Sequence, residues 1–271
     1  MMEQLTTAFS IPVIRYAFFG MLVAGGTLSL LGVIIVSLHL TAIRFTLMHV
    51  GLLGAAAGLS LGFSPTLGAF ALVIGTSLVM GRLGKERSLS ASSVSGLFMT
   101  GSLAGAFLLL AATGVPAMNV FDIFAGNILL MTRGNLIFII ILGVVILCVF
   151  WITYREIQLV LLDKELARSL GVPVDMIVTG MFLLLGIGVA TALRLVGALL
   201  VDAIILLPGI AALRFARNFR MALFLSALFG ILACAGGFFL SLFLNLPIGA
   251  SAAMVSTMIL AISMSVRRIR Q

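Results

Sequence analysis

Two side chains able to hold a cation lie inside stretches of this sequence that are otherwise apolar. Asp202 sits within RLVGALLVDAIILLPG, residues 194–209, and His49 within MHVGLLGAAAGLSLG, residues 48–62. An acid near the middle of a membrane helix costs roughly 2.5–3.5 kcal/mol on insertion scales, so it faces a bundle interior or a wet cavity, where it has a use or a partner. Carboxylate oxygen and imidazole nitrogen together suit a borderline divalent ion. Met48 adds a soft neighbour to His49. Each residue also has a plain structural account. His49 can bond a neighbouring carbonyl, and Asp202 can stay neutral or satisfy backbone groups freed where Pro208 removes a helix bond.

Nothing in the chain assembles into a catalytic centre. Its two histidines, His39 and His49, occur without HExxH, its two cysteines without CxxC, and no serine elbow is present. Residues 81–86, GRLGKE, come nearest to a phosphate loop but lack the Gly-to-Gly offset and the hydroxyl residue after the lysine. The chain is therefore expected to be neither an enzyme nor the holder of a cofactor. Cys148 and Cys234 stand singly in apolar runs and are expected to be buried thiols.

The elements that must carry Asp202 and His49 follow from composition. Of 271 residues 62% are hydrophobic and 9% charged, and the mean hydropathy is +1.33, which describes an all-α integral membrane protein. Long continuous apolar runs with 29 glycines suit close-packed helices, whereas barrel strands would alternate. Runs long enough to span predict about nine transmembrane helices, with eight as the alternative: 16–38, 42–63, 66–81, 94–113, 136–154, 177–193, 196–214, 221–243 and 250–266. The chain is read as a single transmembrane domain, 1–271. The connection between the sixth and seventh helices is so short that a broken or re-entrant element is an alternative there. The N-terminus lacks the basic start of a cleaved signal and is expected to be retained.

The net charge of +8 suggests a nucleic-acid partner only until the bases are placed. With a cytoplasmic C-terminus and an outer N-terminus, thirteen of the sixteen Lys and Arg fall in inner loops, leaving Arg15, Arg133 and Arg194 outside. They set topology, so no nucleic-acid partner is expected. In the second helix Gly54, Gly58 and Gly62 recur every four residues and make a smooth packing stripe. The outer loop, 114–135, is only moderately polar and is expected to lie partly against the bundle.

The inner loop, 155–175, mixes acids and bases at helical spacing and stops at Gly171-Val172-Pro173. Asp163 as N-cap, with Leu162, Leu166 and Leu170 as an apolar face, predicts a short helical knob offered to a soluble partner. An amphipathic linker lying on the lipid surface is the alternative.

Three blocks, MHVGLLGAAAGLSLG, LLDKELARSLGVPV and RLVGALLVDAIILLPGIAALRFAR, occur in an order and spacing that resemble the membrane subunits of bacterial metal-ion ABC importers, the zinc, manganese and iron permeases. The resemblance implies a type II-like importer permease working by alternating access in the bacterial inner membrane. It also implies a homodimer, two ATPase subunits that bind the ATP, and an extracytoplasmic solute-binding protein. The knob would then be a coupling helix contacting the ATPase through Asp163, Glu165, Leu166, Arg168, Leu170 and Gly171. One departure stands out: many such permeases carry an acid four positions before the histidine that matches His49, and here that position is Phe45. Asp202 is the expected replacement for that acid. The departure also keeps open a permease for a metal chelate or other small solute. An ATP-independent channel or scaffold is the rival of another class, and it would have no use for the knob.

Overall fold

The computed structural model describes residues 9–83, 91–116, 118, 131–196 and 198–268, with the backbone alone at 83, 91–92, 194–196, 198–200, 202 and 266–268. The described residues form helices and no strands. These are α1 (Pro12–Ser37), α2 (Thr41–Leu61), α3 (Pro65–Leu83), α4 (Ala91–Thr113), α5 (Arg133–Ile152), α6 (Tyr154–Leu162), α7 (Lys164–Ser169), α8 (Val174–Val196), α9 (Ala198–Phe215), α10 (Phe219–Leu244) and α11 (Ile248–Arg268). Helices stand at all nine expected positions. Among the described residues eight of them are long and apolar enough to cross a bilayer, and α9, whose side chains are described only in part, contributes the apolar stretch Ala203–Phe215. The outer loop expected at 114–135 lies largely outside the described residues.

The chain sorts into two compact units. One combines Met1–Ile34, Gly126–Val149 and Leu195–Gln271, and the other Ile35–Ala125 and Phe150–Arg194. In the first, α1 is gripped by its neighbours at glycines. A Cβ on Gly25 would come 2.5 Å from the Gly230 carbonyl oxygen of α10, and one on Gly32 would overlap the Ile205 carbonyl oxygen of α9. Backbones in such contact gain dispersion energy that lipid tails cannot supply. Hydroxyls add fixed points: Ser226 Oγ donates to the Ser29 carbonyl at 2.8 Å, and Ser256 Oγ to the Ala203 carbonyl at 2.8 Å. Pro208 lies inside α9 without ending it.

Cys234 is buried as expected, but Cys148 is exposed. It lies on α5, where Ile141, Val144, Val145 and Trp151 are exposed too. Such a surface is the kind that lipid covers, and a thiol is apolar enough to share it.

The second unit is built around α2, which packs against both α3 and α4. The expected glycine stripe divides in two. A Cβ on Gly54 would overlap the Gly68 carbonyl oxygen, and one on Gly58 would lie 2.6 Å from Pro65 Cα, so both press α2 onto α3. Gly62 does something else. At φ 76° it ends α2 in the left-handed conformation and turns the chain into α3, and nothing lies within 4 Å of where its Cβ would be. On the other side of α2, Thr46 Oγ1 donates to the Ser95 carbonyl of α4 at 2.9 Å. At the far end Ser60 Oγ meets Thr113 Oγ1 at 3.0 Å. Between them Leu52, Ala55, Ala56, Ala106 and Leu110 form one buried cluster. The two hydroxyl contacts join start to start and end to end, so α2 and α4 run parallel. Helix α8 closes against α3, where Gly81 faces Thr179 and Gly186 faces Ser77.

Candidate functional site

His49 is half-buried on α2, and its Nδ1 lies 2.7 Å from the Phe45 carbonyl oxygen, one turn earlier. A carbonyl only accepts, so Nδ1 carries the proton and donates it. A backbone carbonyl commonly fixes a metal-binding imidazole in this way. The same bond is the plain structural role expected for the residue, and the two accounts are compatible. Below it, the Arg44 guanidinium lies over the Phe45 ring at 4.3 Å, and Arg44 Nε donates to the Thr41 carbonyl at 3.1 Å. Arg44 is 6% exposed, and the cation–π contact is one of the interactions that offset burying its charge.

Met48 is 5% exposed. Adjacent helix positions point about 100° apart, so it turns away from the side His49 takes. The backbone of Asp202 lies in α9, and its side chain is outside the described residues. Among the described residues no three His, Cys, Asp or Glu side chains cluster as a metal site. Sequence reasoning passed over Thr46 and Ser95, the buried pair that fixes α2 against α4; a threonine three positions before His49 was the available signal.

The knob forms where local chemistry placed it, with one difference. Two helices occupy the loop instead of one, α6 and α7, separated by Asp163. Asp163 has an extended backbone, φ −157° and ψ 118°, which stops α6. Its side chain accepts from the N–H of Glu165 at 2.8 Å and of Leu166 at 3.1 Å, which starts α7. At the other end Gly171 takes φ 80°, the Gly171 N–H bonds the Arg168 carbonyl at 3.0 Å, and the Val172 N–H bonds the Ala167 carbonyl at 3.0 Å. This is the Schellman closure that the Gly171 signal predicts. Val160, Ala167 and Val174 are buried together and anchor the knob, and Arg168 reaches Asp175 at 3.1 Å to tie α7 to α8. Leu162, Leu166 and Leu170 are 74%, 51% and 61% exposed. The expected apolar face is thus open, while the knob itself is held from beneath.

A multi-pass helical membrane protein with a braced, leucine-faced knob and an imidazole set into its second span has the architecture of a transport permease. The chain matches the ABC 3 transport family over residues 10–267 and belongs to that family. It is 27% identical over 215 residues to the manganese transport system membrane protein MntC of Halalkalibacterium halodurans, covering 79% of this chain and 74% of that one. To the high-affinity zinc uptake system membrane protein ZnuB of Buchnera aphidicola it is 25% identical over 245 residues, covering 89% and 94%. To the chelated iron transport system membrane protein YfeD of Yersinia pestis it is 23% identical over 262 residues, covering 97% and 88%. The fold is also that of PsaBC from Streptococcus pneumoniae, solved in complex with Fab, with a TM-score of 0.82 at 23% identity, covering 96% of this chain and 94% of that one.

Proposed function

We propose that this chain is the membrane permease subunit of an ATP-binding-cassette importer that moves a divalent transition-metal ion, zinc, manganese or iron, by alternating access. Family membership across residues 10–267 carries the reading, together with relatives whose names specify manganese, zinc and chelated iron. The permease acts as a homodimer in the bacterial inner membrane, with its N-terminus outside and its C-terminus in the cytoplasm. ATP is bound and hydrolysed by two separate ATPase subunits, and a solute-binding protein delivers the ion from outside. The braced knob with exposed Leu162, Leu166 and Leu170 favours a docked ATPase over a free-standing channel. Residues 155–175 are its coupling loop, with Asp163, Glu165, Leu166, Arg168, Leu170 and Gly171 as the contact set.

His49 and Asp202 are each assigned as contacts for the passing ion. Phe45 in the place of an acid favours one alternative, a metal chelate as the cargo, because an aromatic ring offers contact area and no charge. The test is uptake by the assembled complex, given free ion or chelated ion, for the wild type, His49→Ala and Asp202→Asn. The reading expects ATP-dependent uptake of free ion that both substitutions depress. Normal uptake in both variants overturns the site assignment, and flux without ATP overturns the importer.

A further inference from the structure

Along the side of α4 that meets α2, burial is interrupted at one level. Four residues of α4 along its α2-facing side are buried: Ser95 at 2%, Ser102 at 6%, Ala106 at 1% and Leu110 at 5% exposure. Met99 lies in the same sector, one turn after Ser95 and just before Ser102, yet it is 36% exposed. The Thr46–Ser95 hydrogen bond shows what lies opposite. His49 follows Thr46 by three positions and Met99 follows Ser95 by four, so on parallel helices each stands one turn above the same bond. Above them the seam closes again, where Leu53 comes 3.4 Å from the position of a Cβ on Gly105. Packed helix axes stand about 8–10 Å apart, a span that an imidazole and a thioether from facing helices can share with one ion. One turn below Met99, Ser95 Oγ is buried and has no hydrogen-bond partner among the described residues. A buried hydroxyl of that kind is costly unless something else supplies the contact.

We propose, resting on the metal-importer reading above, that Met99 is a second cation contact, placed across the α2–α4 seam from His49. This level offers the imidazole of His49 and the sulfur of Met99, with Ser95 one turn below. A thioether is a soft donor and gives little to manganese, so this pair selects the softer end of the divalent series, zinc ahead of manganese. It is Met99, brought in from another helix, and not the neighbouring Met48, that supplies the soft donor beside His49.

The experiment uses the assembled importer in proteoliposomes, with zinc and manganese supplied separately and the ratio of their uptake rates at low concentration as the readout. Met99→Leu keeps the volume and removes the sulfur. Loss of a group that tunes a metal site commonly lowers affinity on the order of tenfold. The expected result is a zinc-to-manganese ratio lowered by roughly that factor through the KM for zinc, with the manganese rate little changed. Met99→Cys retains a soft donor and should keep the preference for zinc. If Met99→Leu does not assemble, Met99→Ile is the second sulfur-free variant. An unchanged ratio in the leucine or isoleucine variant, or a cysteine variant that behaves like leucine, overturns the role of Met99. His49→Ala separates the two layers. If it abolishes uptake while the Met99 variants change nothing, only the Met99 proposal fails. If it leaves both uptakes normal, the underlying site at His49 fails as well.

Discussion

Replacing Gly54 by alanine tests how tightly α2 is held to α3. The added Cβ would overlap the Gly68 carbonyl oxygen and lie 2.7 Å from Ala69 Cα, against an ordinary contact of 3.4 Å or more. Both obstacles are backbone atoms of a packed helix, so no side chain can rotate away. Overpacking of this kind costs about 1–3 kcal/mol, while alanine in a helix interior returns up to about 1 kcal/mol relative to glycine. Gly75 on the same hairpin gives the reference, because nothing lies within 4 Å of its Cβ position. Gly75→Ala should be neutral or slightly stabilising, and since the propensity gain is common to both, Gly54→Ala should fall below it by about 1–3 kcal/mol, or roughly 2–12 °C in Tm for a chain of this size. The measurement is thermal unfolding of the purified complex in detergent. Gly68 faces Gly54 across the same contact, since a Cβ there would overlap the Gly54 carbonyl oxygen. Once Gly54→Ala has pushed the helices apart, Gly68→Ala should add less than it costs alone. A Gly54→Ala protein that melts with or above Gly75→Ala, or two costs that simply add, would refute the close approach.

Two further outcomes concern the knob. Asp163→Ala removes the acceptor for the N–H groups of Glu165 and Leu166 and should cost α7 about 1 kcal/mol; uptake should fall at unchanged permease abundance, and Asp163→Asn should restore most of it. Gly171→Val places a β-branched residue at φ 80°, a strain of about 1–2 kcal/mol, and should weaken co-purification of the ATPase without reducing the permease in the membrane.

Much of this protein could be read along the chain, because two of its constraints act locally. The bilayer demands apolar runs of a set length, so the nine expected positions each received a helix. Hydrogen bonds at helix ends are also local. Asp163 and Gly171 could therefore be recognised as the start and stop of the knob, since each acts within four residues of itself. That Asp163 also ends a preceding helix was not visible, because amphipathic residues on both sides of a cap look like one segment.

What only the tertiary structure decided is which side chains face each other. Spacing grouped Gly54, Gly58 and Gly62 into one stripe, yet two of them touch α3 and the third turns the chain. Spacing likewise treated Cys148 as a core thiol, although an apolar residue in a membrane helix meets lipid as readily as protein. Lengths and caps are set by solvent and by bonds a turn away. Facing residues are set by the pairing and crossing of helices that lie about fifty positions apart at Thr46–Ser95 and nearly two hundred at Ser29–Ser226, which no single stretch of the chain encodes.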